Sequence, residues 1–289
     1  MNIIQKFGVL FLLLISSISL SADQDSTTPT ILVSVSPYKY FVEKIAGNSV
    51  KVEVMVPAGA SSHTFEPTPK QMINAAKAAV WFQIGEGFES RAGQALKASN
   101  PSLFFVDLRT NVDLIHEHHC SHAEHNHHAS CIDPHFWLSA RQAKAQARTI
   151  ADTLSSLYPD YKDNYQSELN NFIEELDKLD SQITELLEPL KNRIIMVSHP
   201  AYAYFCRDYQ LAQLSIEFEG KDPTPSQLTK ILDAGRKYKI TRVYTQPQYS
   251  NKGATLIAKE LKATVVSLDP YSENYLNTML EIAKAFSKN

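Results

Sequence analysis

Short runs of β-branched and aromatic residues recur along the chain, each followed by a stretch whose apolar residues repeat every three or four positions. The runs at 31–35, 52–56, 79–84 and 103–106 predict strands, and the patterns near 37–46, 68–78, 89–98 and 140–158 predict helices. The alternation restarts with strands at 194–198, 214–218, 242–246 and 264–268 and helices at 201–209, 225–238, 252–261 and 274–287. Strand and helix in alternation predict a mostly parallel sheet flanked by helices, so the restart predicts an α/β protein of two such lobes.

Between the two series, apolar residues fall at Tyr161, Tyr165, Leu169, Phe172, Leu176, Leu179, Ile183, Leu186 and Leu190. Every interval is three or four, which predicts one amphipathic helix of about thirty residues, on the order of 45 Å long. The expected division is therefore a lobe over 22–158, a linker helix over 159–190 and a second lobe over 191–289. A helix is stiffer than a pair of linking strands, so the lobes are expected to rock slightly rather than clamp shut.

The first 21 residues depart from this pattern. One early base, Lys6, precedes an apolar stretch at 9–15 and a Ser-rich end, the layout of a secretory signal peptide with cleavage before Ala22. Without a Cys near that point a lipoprotein is not expected, and the expected location is a periplasm. A formal charge of −3 and the lack of any basic block argue against nucleic acid as a partner.

Of the ten histidines, seven crowd into one stretch: His116, His118, His119, His122, His125, His127 and His128. Such a tract has no apolar periodicity to fold around and predicts loose, low-affinity contact with transition metals. Cys120 and Cys131 bracket most of it and could form a disulfide in an oxidising compartment or act as thiolate ligands. Cys206, in an aromatic segment, is expected to be a small buried hydrophobe.

The remaining three histidines occupy ordered contexts. Ligands of α/β sheets collect beyond the carboxyl ends of strands. His63 follows the 52–56 strand, His135 the 103–106 strand after the histidine loop, His199 the 194–198 strand, and Asp269 the 264–268 strand. Three imidazoles and one carboxylate form a donor set suited to Zn²⁺. Glu66 could orient an imidazole, whereas Glu217 and Glu219 are expected in solvated loops.

The segments HTFEP at 63–67, DPHFWL at 133–138, HPAYAYF at 199–205 and LDP at 268–270 resemble the metal-binding periplasmic proteins of zinc and manganese ABC importers, and specifically the high-affinity zinc-uptake branch. The resemblance spans the chain beyond its first residues, including the long helix and the histidine-rich loop. It implies a solute-binding protein that captures Zn²⁺ between its lobes on His63, His135, His199 and Asp269 and delivers it to a membrane permease, as a monomer and with no catalysis. Manganese members usually carry glutamate where this chain has His199, and imidazole favours zinc over Mn²⁺. Two features depart from the zinc branch: Pro200 stands where an acid is common, and Cys206 is the one cysteine of the second lobe. The alternatives are a Mn²⁺ or Fe²⁺ carrier of the same family, a zinc-dependent hydrolase, and an adhesin or zinc-buffering surface protein. Against a hydrolase, the chain lacks an H-E-x-x-H helix and has no general base apart from Glu66.

Overall fold

The computed structural model describes residues 28–117, 131–217 and 223–289. The expected signal peptide, six of the tract histidines (His118, His119, His122, His125, His127 and His128), Cys120 and Glu219 lie outside them.

Four parallel strands form the first sheet: β1 (Thr30–Val33), β2 (Lys51–Val54), β3 (Val80–Gln83) and β4 (Phe104–Asp107), in the order β2-β1-β3-β4. Its register aligns Ile31 with Val52 on one side and with Val80 on the other. A two-residue hairpin follows, β5 (His116–Glu117) against β6 (Cys131–Ile132), antiparallel and not foreseen from the pattern. It brings the two ends of the histidine-rich stretch together. Two residues per strand are too few for any period to register.

The second sheet holds β7 (Ile194–Val197), β8 (Ala212–Ser215), β9 (Arg242–Thr245) and β10 (Thr264–Ser267), again all parallel, in the order β10-β9-β7-β8. Counted within its own lobe, each sheet runs second, first, third, fourth, so both share one winding and one switch point beside the first strand. The first lobe carries α1 (Ser36–Ala46), α2 (Pro69–Ala75), α3 (Gly87–Ser99) and α4 (Ala140–Leu157). The second carries α6 (Ala203–Asp208), α7 (Pro225–Lys237), α8 (Lys252–Leu261) and α9 (Tyr275–Phe286).

Between them, α5 (Lys162–Leu187) runs 26 residues, about 39 Å at 1.5 Å per residue. It is shorter than the apolar stripe suggests, because Pro159–Tyr161 forms a separate 3-10 turn and Pro189 follows its end. Arg193 closes that end by donating to the carbonyls of Leu187 and Glu188, which a helix terminus leaves unpaired. Tyr165, Leu169, Phe172, Leu176, Leu179, Ile183 and Leu187 are buried along one face. That face packs on α1 and α4 of the first lobe and on α9 of the second. A single apolar cluster consequently reaches from Ile31 and Trp81 through Phe172 to Ile195, Tyr244 and Phe286. Cys206 lies within it, as expected.

Polar bonds reinforce this seam. The Trp137 indole donates to the Pro270 carbonyl at 3.0 Å, the Tyr275 hydroxyl to the Trp137 carbonyl at 2.7 Å, and the Tyr204 hydroxyl to the Asp133 carbonyl at 2.8 Å. Among the described residues, no helix is long and apolar enough to cross a membrane.

A shared core predicts shared unfolding. Phe172, which meets Phe41 edge-on at 5.1 Å, is expected to cost about 3–5 kcal/mol when replaced by Ala. Urea unfolding of Phe172→Ala, followed in parallel by circular dichroism and tryptophan emission, should give one coincident transition shifted to lower denaturant. Two separated transitions would show that the lobes fold independently.

Candidate metal centre

The three ordered histidines converge. His63 lies in a 3-10 turn, Ser62–Thr64, beyond β2; His135 immediately precedes the turn Phe136–Leu138; and His199 lies two residues past β7. Their ring centroids form a near-equilateral triangle, with separations of 5.2 Å (His63 to His135), 5.1 Å (His63 to His199) and 5.3 Å (His135 to His199). One ligand atom from each lies within 4.8 Å of the other two. The His135 and His199 side chains are 4% and 7% exposed and that of His63 is 30% exposed, so His63 is the solvent-facing member.

Each imidazole is held from behind by an acidic side chain. Nδ1 of His63 meets Glu86 at 3.1 Å, Nδ1 of His135 meets Asp133 at 2.7 Å, and Nδ1 of His199 meets Glu217 at 3.1 Å. A carboxylate accepts only, so each Nδ1 carries the hydrogen and a neutral ring presents a bare Nε2. The Nε2 atoms of His63 and His199 face each other at 3.2 Å. Nε2 of His135 is buried and without a hydrogen-bond partner. Two lone pairs at that distance repel unless a proton or a metal cation lies between them. Nitrogens bound to one tetrahedral zinc at about 2.0 Å would be roughly 3.3 Å apart. The donor set and its spacing therefore fit a borderline-soft divalent cation.

These supports come from strand ends. Glu86 follows β3, where Gly85 turns the chain at φ 91°, and it also accepts from the Ser62 hydroxyl at 2.6 Å. Asp133 follows β6 and accepts from the His135 backbone N–H at 2.9 Å as well as from its ring. Glu217 follows β8.

Burial and charge set the protonation states apart. Burial pulls the His63 pKa down, but the hydrogen bond and charge of Glu86, with the charges of Asp133 and Glu217, outweigh it and hold the group above 6.5. Burial raises Glu86, yet the His63 bond and charge and the Ser62 hydroxyl bring it below its ordinary 4.5. His199 goes the other way: burial, only partly offset by Glu217 and reinforced by the other two histidines, drives it to about 4.

The structure does not bring every expected residue into this group. Asp269 lies outside it; its Oδ1 accepts from the Gln248 amide at 2.6 Å and from the Tyr271 N–H at 3.0 Å. Glu66 pairs with Arg91 on the surface instead of orienting an imidazole. A residue in an exposed loop is drawn to the nearest guanidinium, and its sequence proximity to His63 does not set its partner. Glu217, expected in a solvated loop, is instead on His199. His116 pairs in the hairpin with Ile132, apart from the triad. Glu86 escaped the sequence reading because 23 residues separate it from His63 and only its place after a strand hinted at it. Asp133 was within reach, two positions before His135.

Lowering the pH protonates His63 before His199, and zinc must displace that proton. Affinity should therefore fall as the pH drops through the raised His63 pKa, with His199 adding a further loss only near about pH 4. Glu86→Gln removes the charge that raises His63, so the onset of this loss should move to lower pH in competitive zinc titrations between about pH 5 and 8. An unchanged onset would contradict the assignment.

Comparison with known proteins is consistent with this chemistry. Residues 31–289 match the family model of ZnuA, the periplasmic component A of the zinc-uptake complex. A curated relative in Chlamydia trachomatis, whose name speaks only of metal binding, is 32% identical over 282 residues, covering 96% of this chain and 99% of that protein. The fold is similar to the crystal structure of ZnuA, with a TM-score of 0.84 and 35% identity over 91% of this chain and 99% of the other. It is also similar to a zinc-bound ZnuA deletion mutant, with a TM-score of 0.82 and 35% identity over 90% and 97% of the two chains.

Proposed function

We propose, from the premise that this chain belongs to the ZnuA family of periplasmic zinc-uptake components, that it captures Zn²⁺ between His63, His135 and His199 and hands it to the permease of an ABC importer. Members of this family are extracytoplasmic solute-binding proteins that work with such permeases, a transport class and not an enzyme class. The observation that carries the site assignment is the 3.2 Å approach of the His63 and His199 Nε2 atoms, each backed by an acid at Nδ1. Carboxylate partners of this kind fix the ring and strengthen the ligand. An all-imidazole triad favours zinc over the manganese and iron readings.

Zinc here is cargo. In this reading Asp269, whose Oδ1 already accepts from Gln248 and the Tyr271 N–H, completes the coordination as the weakest of the four ligands. Residues 1–21 act as a cleaved signal peptide. The mature chain works as a monomer without nucleic acid and without turnover, and is divided at the long helix α5. The histidines between His116 and His128 offer weaker, additional metal contacts, as their density in the sequence suggests.

Competitive zinc titration of variants tests this. His199→Ala should weaken the tight site by more than the roughly 10- to 100-fold that loss of an orienting partner costs. Asp269→Asn should cost less than about tenfold, since its carboxylate already has partners. Removing 118–130 should leave one tight equivalent. Unchanged affinity in His199→Ala would overturn the site.

A further inference from the structure

Across the triad lies a residue that the capture chemistry does not use. Tyr249, in the 246–251 connection between β9 and α8, lays its ring over His199 with centroids 4.0 Å apart and planes 16° from parallel. The same ring reaches His63, 6.2 Å away at 36°. Its hydroxyl is buried. The connection is tied on both sides of the site: Gln246 donates to the His199 carbonyl at 3.4 Å, Gln248 to Asp269 at 2.6 Å, and Asn251 to the Gln246 carbonyl at 3.0 Å.

We propose that Tyr249 is a positioning residue and lid for the zinc site, locking the His199 ring and closing one face of the triad so that bound zinc exchanges slowly. This rests on His63, His135 and His199 being the zinc ligands. The ring face, and not the oxygen, does the work: burial keeps the phenol protonated well above its ordinary range, so it does not serve as a phenolate ligand. Zinc on Nε2 withdraws electron density from the imidazole. The electron-rich face of Tyr249 then attracts the loaded ring more than the free one, an interaction of cation–π character that favours the bound state. Covering that face also keeps water from the His199 to zinc bond, which slows dissociation. Glu217 holds the ring at Nδ1 and Tyr249 restrains its tilt, so the two act on different degrees of freedom of one ligand.

Chelator-triggered zinc release from the full-length protein, read by stopped flow together with equilibrium competition, tests the proposal with Tyr249→Leu, Tyr249→Phe and His199→Ala. Tyr249→Leu should speed release from the tight site about tenfold, with a matching rise in Kd and little change in the association rate. Tyr249→Phe keeps the ring and should stay within about twofold of the parent. The melting temperature of the metal-free protein should be alike in the parent and both Tyr249 variants. If His199→Ala loses the tight site while Tyr249→Leu releases at the parental rate, the lid role is wrong and the site stands. If His199→Ala keeps the tight site, the ligand assignment itself fails. If Tyr249→Phe releases as fast as Tyr249→Leu, the hydroxyl matters and the stacking account is overturned. Should Tyr249→Leu melt early, Tyr249→Trp, which restores a ring face, must recover slow release for the proposal to survive.

Discussion

Three hydrogen bonds, donated by the Nδ1 atoms of His63, His135 and His199 to Glu86, Asp133 and Glu217, decide what this protein can hold. Each fixes a tautomer, and together they turn three lone pairs into one small volume where nothing but a cation relieves their repulsion. The acidic partners also supply the negative charge that a buried divalent ion needs. Without them the same three imidazoles could rotate, pair with water and leave no common focus.

The fold exists to keep those bonds in register. Two sheets of identical winding turn their carboxyl ends toward each other, so His63 and His199, 136 residues apart in the chain, come within 3.2 Å. The long helix α5 shares its apolar face between the lobes, and Trp137, Tyr204 and Tyr275 bond across the seam within a few residues of His135. Large opening of the lobes would break that core. Movement of the connections at strand ends, such as 246–251, demands far less, which makes them the natural route for zinc to enter and leave.

Much of this was legible in the sequence. Eight strands and the long helix announced themselves through period and composition, because the inner strands β1, β3, β7 and β9 are largely buried and the helix has one sustained apolar stripe. The three ordered histidines stood out by their places after strands. What stayed hidden depends on contacts between distant segments. Glu86 serves His63 from two strands away and Glu217 serves His199 from the neighbouring strand end, and no local pattern marks a residue that acts across a sheet. Glu66 looked suitable because it lies near His63 in sequence, but Arg91 holds it. Asp269 stands at the expected strand end, and the Gln248 and Tyr271 partners of its Oδ1 are contacts that no spacing rule records. The stacking of Tyr249 on His199 likewise joins two connections of the second sheet that are fifty residues apart.

The central claim is that three imidazole nitrogens, and no thiolate, make the tight zinc site. X-ray absorption at the zinc edge, on protein lacking 118–130 and loaded with one equivalent, addresses it directly. The account predicts a first shell of nitrogen and oxygen near about 2.0 Å with outer-shell scattering from three imidazole rings. A sulfur shell near about 2.3 Å, or scattering from fewer than three rings, would contradict it.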